Sequence, residues 1–379
     1  MRRRFRLLFT LLATAFFLFS VAWGASGAGK GSPSHGQQKE RLQNEVKTRT
    51  QNAGDDFRLR VEQKIESGVV VDIKELVEDL EDELRDETEG QTGDATEDNT
   101  PTGNEEDANG SPEDGQGSKG KIGLQKLMSR LEQSLQEKPG DPQLLWQLAV
   151  VYRNVGEYDK AIEVLKDLQT QMTHPTAKVA VLLAQCLRAK GDPQAALAEL
   201  QNLLATATVP GAVYAYKAIL KQELGLAEEA AEDIEEAIAA EPEDEDFYGL
   251  AGELYETMGE KGVKVFVKGK KIRFDVAPFI ENNRTMVPIR AVAEALGLEV
   301  GYDAGAGTVT ITNPADGKTV VLYLGQKKAI IGNRETTLDT PAKIVPPGRT
   351  VGPLRFLSEA FGKDVNWFEN GQIAAINEP

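Results

Sequence analysis

The sequence predicts a multidomain chain: an α-solenoid of helical hairpins, then a small α+β domain with an internal duplication, both preceded by a disordered acidic linker. Three observations predict this. Glycines recur at Gly156, Gly191, Gly225 and Gly259, spaced 35, 34 and 34 residues apart. Arg284-Thr285-x-x-Pro288-x-Arg290-x-x-x-Glu294-Ala295-x-Gly297 returns 65 positions later as Arg349-Thr350-x-x-Pro353-x-Arg355-x-x-x-Glu359-Ala360-x-Gly362. Thr88 to Ser118 carries nine acids, no Lys or Arg, and no large apolar or aromatic residue.

In chain order, Arg2, Arg3, Arg4 and Arg6 precede an apolar run from Leu7 to Trp23, followed by small residues from Gly24 to Ala28. Residues 1–28 read as an export signal, with cleavage expected between Ala25 and Lys30. The chain is expected to be extracytoplasmic, secreted or associated with the cell envelope; a retained signal would anchor it in the membrane. Residues 37–87 carry Val61, Ile65 and Val69, then Ile73, Leu76, Val77, Leu80 and Leu84, at helical spacing. The stripe is thin and surrounded by charge, so it reads as a helical stalk of one or two exposed helices suited to pairing with a partner helix. Residues 88–120 read as the linker, because so polar a stretch cannot offset its chain entropy by burial.

Residues 121–260 hold the repeats. Ala161, Ala196 and Ala230 each follow a periodic glycine by five positions. Glycine supplies the tight turn of each hairpin, and alanine lets its two helices touch. With Leu148, Ala149, Tyr152 and Tyr158 in the first unit and Leu183, Ala184 and Leu187 in the second, the pattern resembles the tetratricopeptide repeat. The third unit departs at Lys217 and Lys221, where apolar residues are usual, so looser packing or a shifted register of its first helix is expected there. Residues 122–137 read as a capping helix, and 245–258 as the first helix of a fourth unit that lacks its second.

The resemblance implies a groove, lined by the first helix of each hairpin, that takes an extended peptide or a partner helix. Carried onto this sequence, the groove positions are Gln143, Trp146, Val150, Arg153 and Asn154, then Lys178, Val181, Gln185 and Arg188, then Ala215, Ile219 and Gln222. Arg153, Lys178 and Arg188 make it a positive strip suited to an acidic protein or peptide, with the acidic linker as a candidate competitor. Trp146 is either an anchor for the partner or packing against the capping helix.

Residues 262–379 carry the duplication, in which Tyr302 is answered by Trp367 and Val287 by Gly352. With its Arg-Thr-x-Val-Pro-x-Arg core, this segment resembles the copper amine oxidase N-terminal-like (stalk) domain. Helices are expected from Ile289 and from Leu354, and strands over 308–312, 320–324 and 329–331. Arg290 with Glu294, and Arg355 with Glu359, stand four apart and are expected to pair on their helices, with a ligand site as the alternative. Tyr302 and Trp367 read as strand aromatics, with saccharide stacking as the alternative.

Composition narrows the function. A copper site of the amine oxidase kind needs about three imidazoles, and the chain has only His35 and His174, both outside the duplicated domain. No cofactor, metal site or catalytic residue is expected, and the chain reads as non-enzymatic. Its net charge of −17 argues against nucleic acid as a partner. The single cysteine, Cys186, sits on an apolar helix face and reads as a buried small hydrophobe. The expectation is an exported adaptor that binds a protein or peptide through its repeat groove; the alternative is a surface protein attached to cell-wall polymer through its C-terminal domain.

Overall fold

The computed structural model describes residues 56–65, 115–172 and 176–379, the side chains of 115–123 excepted. The export signal, most of the expected stalk, the linker up to residue 114, and both histidines lie outside the described residues. Among the described residues no helix is long and apolar enough to cross a membrane.

Helix α1 spans residues 56–65. The repeats follow as α2 (Gly115–Glu137), α3 (Pro142–Val155), α4 (Tyr158–Thr170), α5 (Ala177–Ala189), α6 (Pro193–Thr206), α7 (Gly211–Glu223), α8 (Ala227–Ala240) and α9 (Glu245–Thr257). The capping helix α2 begins at Gly115, inside the segment expected to be linker, and it closes the array with buried Leu127 and Leu131 and a 2.6 Å bond from Tyr152 to Glu132. The periodic glycines end the first helix of each hairpin with φ between 70° and 88°. Side chains other than glycine resist that left-handed conformation, which explains the period. Ala161, Ala196 and Ala230 are fully buried where paired helices meet. Asp141 and Asp192 cap α3 and α6 by accepting backbone N–H bonds, each ahead of a proline in the first turn.

The third hairpin is not loose. Lys217 and Lys221 converge from α7 on Asp233 of α8 at 2.8 and 2.9 Å, and all three side chains are nearly buried. A polar cluster that is paired in this way replaces the apolar contact the family pattern would place there.

The C-terminal domain has strands β1 (Lys264–Val267), β2 (Lys270–Lys271), β3 (Phe279–Glu281) and β4 (Arg284–Pro288), then helix α10 (Ile289–Ala295). Next come β5 (Glu299–Asp303), β6 (Thr308–Thr312), β7 (Thr319–Tyr323), β8 (Lys328–Ile331), β9 (Arg334–Thr337), β10 (Lys343–Val345) and β11 (Arg349–Pro353). Helix α11 (Leu354–Ala360), β12 (Asp364–Phe368), a 3-10 turn (Asn370–Gln372) and β13 (Ile373–Asn377) end the chain. Three sheets run in the orders β12-β13-β1-β2, β10-β11-β4-β3 and β5-β6-β7-β8-β9.

The duplication is realised as a pseudo-twofold with exchanged hairpins. Strands β4 and β11 pair antiparallel with Met286 opposite Pro353, Val287 opposite Gly352 and Pro288 opposite Val351. The pseudo-axis therefore passes between Val287 and Gly352, the position where the two copies differ. A Cβ on Gly352 would lie 3.1 Å from Ile289 Cδ1, a tight contact that the Ile289 side chain would have to shift to relieve. The first half's hairpin β1-β2 completes the sheet of β12 and β13, while β8-β9 joins β5 and β6 through the linking strand β7.

Strands β1 and β13 are buried on both faces. Val265, Val267, Ala374 and Ile376 point into the core of the C-terminal domain, whereas Phe266, Ile373 and Ala375 belong to the core of the repeats. The sheet thus covers α9 where a second repeat helix is missing. Tyr248 of α9 stacks on Phe368 at 4.9 Å and meets Phe266 edge-on at 5.5 Å. Gly252 makes the closest approach: a Cβ there would lie 2.4 Å from the Asn370 carbonyl oxygen.

One expected ion pair is absent. Arg355 and Glu359 meet at 3.7 Å, but Arg290 points into solvent and pairs with no described residue, Glu294 included. Tyr302 is half exposed on β5, and Trp367 packs against the domain core.

Candidate protein-binding groove

The groove wall is made by the first helices α3, α5, α7 and α9, and part of it is filled. Helix α1 lies on this face and touches α5, α7 and α9 in turn. Its apolar stripe, Phe57, Val61 and Ile65, repeats every four residues and so forms one face of the helix. Val61 and Ile65 are fully buried in the repeat core. Phe57 fits over Gly249, where a Cβ would lie 2.3 Å from the ring. Only glycine leaves room for that ring.

Charged residues flank the stripe and set direction and register. Arg58 donates to Gln222 at 2.7 Å and lies 4.0 Å from Glu253. Arg60 reaches Asp246 at 2.6 Å, and Lys64 reaches Asp244 at 2.5 Å and Asp246 at 2.6 Å. As numbers rise along α1 they fall along α9, so the two helices run antiparallel. Glu62 faces the other way and accepts from Arg188 of α5 at 2.7 Å, and Glu223 also holds that guanidinium at 2.6 Å.

These contacts shift the ionisations. Burial alone would lower Lys64, but its bonds to Asp244 and Asp246 outweigh burial and hold the ammonium above 10.5. Burial alone would raise Asp246, yet Lys64 and Arg60 bring it below 3.8. Arg188 is likewise stabilised as a cation by Glu223 and Glu62, against the cost of burial. Cys186, on α5, is buried, and burial pushes its thiol up to about 11.

The expected groove residues divide. Arg188 and Gln222 contact α1 directly. Val150, Val181, Ala215 and Ile219 are buried in the core, and Trp146 packs against it. Gln143 and Lys178 are exposed, and Asn154 is exposed and bonds back to Val150 of its own helix. Beyond Glu62 the groove stays open as a cleft of about 260 Å³ lined by Arg153, Tyr158, Gln185, Arg188 and Tyr216, where Gln185 Oε1 is buried without a hydrogen-bond partner.

The expected positive residues Arg153, Lys178 and Arg188 all lie on α3 and α5. Arg153 and Arg188 make the α3–α5 end positive, but Glu223, Asp244, Asp246 and Glu253 make the α7–α9 end acidic. The acidic residues other than Glu223 lie on or cap α9. Extending the groove positions to that truncated unit brings in Asp246 and Glu253, one helical face apart. The competing linker is not the described occupant; its residues up to 114 lie outside the described region.

Comparison with known proteins agrees with this architecture. Residues 142–170 match the tetratricopeptide repeat, and residues 266–376 match the copper amine oxidase N-terminal domain. The chain therefore carries a tetratricopeptide repeat region followed by a copper amine oxidase N-terminal domain. The matched C-terminal residues include no histidine or cysteine, so they offer copper neither imidazole nor thiolate. Among solved structures, a crystal structure of MamA is 24% identical, with the alignment covering 39% of this chain and 86% of that one at a TM-score of 0.35. A thermophilic tetratricopeptide repeat protein of Thermus thermophilus is 22% identical over 38% and 79% of the two chains, TM-score 0.30. A tetratricopeptide repeat protein from Parabacteroides merdae is 16% identical over 37% and 55%, TM-score 0.35. No curated protein matches the chain.

Proposed function

We propose that this protein is an exported, non-enzymatic adaptor whose repeat groove captures an amphipathic helix of a partner protein at the cell envelope. The observation that carries the reading is α1 itself. A helix with apolar residues at every fourth position, basic residues on one flank and Glu62 on the other makes complementary contacts with three first helices. The groove's mixed charge selects the orientation of such a helix, and its buried apolar floor supplies most of the affinity. Tetratricopeptide repeats are protein-interaction scaffolds, which supports the same class of function. Export rests on the Arg-led apolar run at residues 2–23. α1 acts as a tethered stand-in that a partner must displace, because its place in the same chain makes its binding to the groove intramolecular.

The test uses the full chain carrying Val61→Asp and Ile65→Asp, titrated with a fluorescent peptide of residues 54–67. Both changes lie on the face of α1 and leave the groove wall intact. The expected result is binding to the variant at least tenfold tighter than to the unaltered chain. A variant that keeps its circular dichroism yet gains no affinity for the peptide would refute the reading.

A further inference from the structure

The exchanged hairpins of the C-terminal domain create two clefts that are copies of each other. Each is built from both halves. The first places Arg290 and Tyr302 of one half against Ile344, Arg349 and Thr350 of the other, around a volume of about 480 Å³. The second places Arg355 and Trp367 against Ile280, Arg284 and Thr285, around about 600 Å³. Four of these five pairs are related by the 65-residue repeat. The fifth, Ile344 and Ile280, is related by strand register, because each stands opposite the threonine of its own hairpin.

Fold stability does not explain the linings. Ile280, Ile344 and Tyr302 are 49%, 50% and 51% exposed, three of the five exposed large hydrophobic residues among those described, and all three face these clefts. Leaving such side chains in water forfeits the free energy of burial, yet both halves do so at the isoleucine, and the first does so at its aromatic as well. The guanidiniums point the same way. Arg290 makes no hydrogen bond or ion pair with any described residue, although the duplication retains its counterpart at Arg355. Arg349 is held by Asp275, and Arg284 by Asp339 at 2.8 Å, which fixes each guanidinium at the cleft rim with further N–H donors to spare.

We propose that the two clefts bind an acidic saccharide polymer, one charged sugar ring in each. An aromatic face beside an isoleucine offers an apolar plate to the C–H face of a sugar ring. The two arginines can take a carboxylate on that ring in paired hydrogen bonds, and the threonine hydroxyl suits a ring hydroxyl. Both clefts are open to solvent, so a chain can enter and leave them along its length. Two equivalent clefts on one rigid domain suit a repeating ligand, because occupying the first raises the effective concentration at the second. The proposal concerns the C-terminal clefts alone and stands whatever the repeat groove binds.

Calorimetry on the full chain tests it with three probes: oligogalacturonate, a glycerol-phosphate oligomer and a neutral dextran oligomer. Oligogalacturonate should bind at least tenfold tighter than dextran, and digalacturonate should show two sites per chain. Arg290→Gln with Tyr302→Ala should leave one site; Arg284→Gln with Arg355→Gln should leave the other; all four together should leave none. These side chains are exposed or partly exposed polar and aromatic groups, so an unchanged melting temperature is expected and serves as the folding control. Glycerol-phosphate binding as tight as oligogalacturonate would mean that charge alone is read, and would overturn the assignment of a sugar ring. Failure of oligogalacturonate to bind, a single site in the unaltered chain, or unchanged binding by the folded fourfold variant would overturn the proposal.

Discussion

The chain repeats itself twice, by two different symmetries, and the two regions end differently. The helical hairpins are related by translation, so the array is open: each end and the whole concave face present surface that something else must cover. The C-terminal halves are related by a twofold, so each half completes the other and the domain closes on itself. What an open array lacks has to come from elsewhere in the chain. Here α2 caps one end, the sheet containing β1 and β13 covers the other, and α1 fills part of the face. The closed domain needs no cap. Its duplication appears at the surface as two clefts, and inside as the Val287–Gly352 contact on the pseudo-axis.

The largest effect is expected inside the open array. Asp233→Ala strands the ammonium groups of Lys217 and Lys221 in a nearly buried site, and the expected cost is about 3–5 kcal/mol in urea unfolding. Replacing all three residues with apolar ones of similar volume should restore most of that loss, since the cluster holds by mutual compensation. If Asp233→Ala costs as little as an exposed pair, the hairpin does not depend on the cluster.

The next largest effect is expected at the joint between the regions. Gly252→Leu would drive a side chain into the Asn370 backbone, and overpacking of this kind costs about 1–3 kcal/mol. Because β1 and β13 serve both cores, the unaltered chain should melt from 115 to 379 in one transition, and the variant in two. Two transitions in the unaltered chain would show that the shared strands do not couple the regions.

The smallest effect is expected at α1, whose flanking ion pairs are partly exposed and contribute about 0–1 kcal/mol each. Asp246 has a lowered value, so its contribution is present above pH 3.8 and is lost as pH falls through the lower folded-state value. Lys64 has a raised value, so its contribution is present below pH 10.5 and is lost as pH rises through the higher one. Amide protection over residues 56–65 should therefore hold steady between these limits and fall at both ends before the repeats lose theirs.

Much of this was legible in the residues. The glycine period marks the hairpin turns because glycine adopts their left-handed backbone angle without the strain other side chains meet, and the 65-residue echo gives both short helices to within a residue. The exchange of hairpins was not legible, because strand partners are chosen by side-chain fit between distant segments, which spacing does not encode. Nor was the joint, although the unbroken apolar runs Val265-Phe266-Val267 and Ile373-Ala374-Ala375-Ile376 are what strands buried on both faces look like. The lysines of α7 suggested loose packing, because their partner, Asp233, lies on the following helix at no fixed family position. The thin stripe beginning at Val61 and Ile65 suggested an exposed helix suited to pairing with a partner helix, and Phe57 was not read as part of it. The partner is the chain's own groove, and Gly249, the opening for Phe57, carries no signal unless the truncated repeat is aligned with its neighbours.

α1 occupies the groove of its own chain. Spin labels at Leu59→Cys and Thr257→Cys, both exposed positions on α1 and α9, test it directly, since buried Cys186 resists labelling. One narrow interspin distance is expected, and it should persist when the labelled protein is mixed with excess unlabelled chain. A broad distribution centred on long distances, or a short distance that vanishes on mixing, would contradict it.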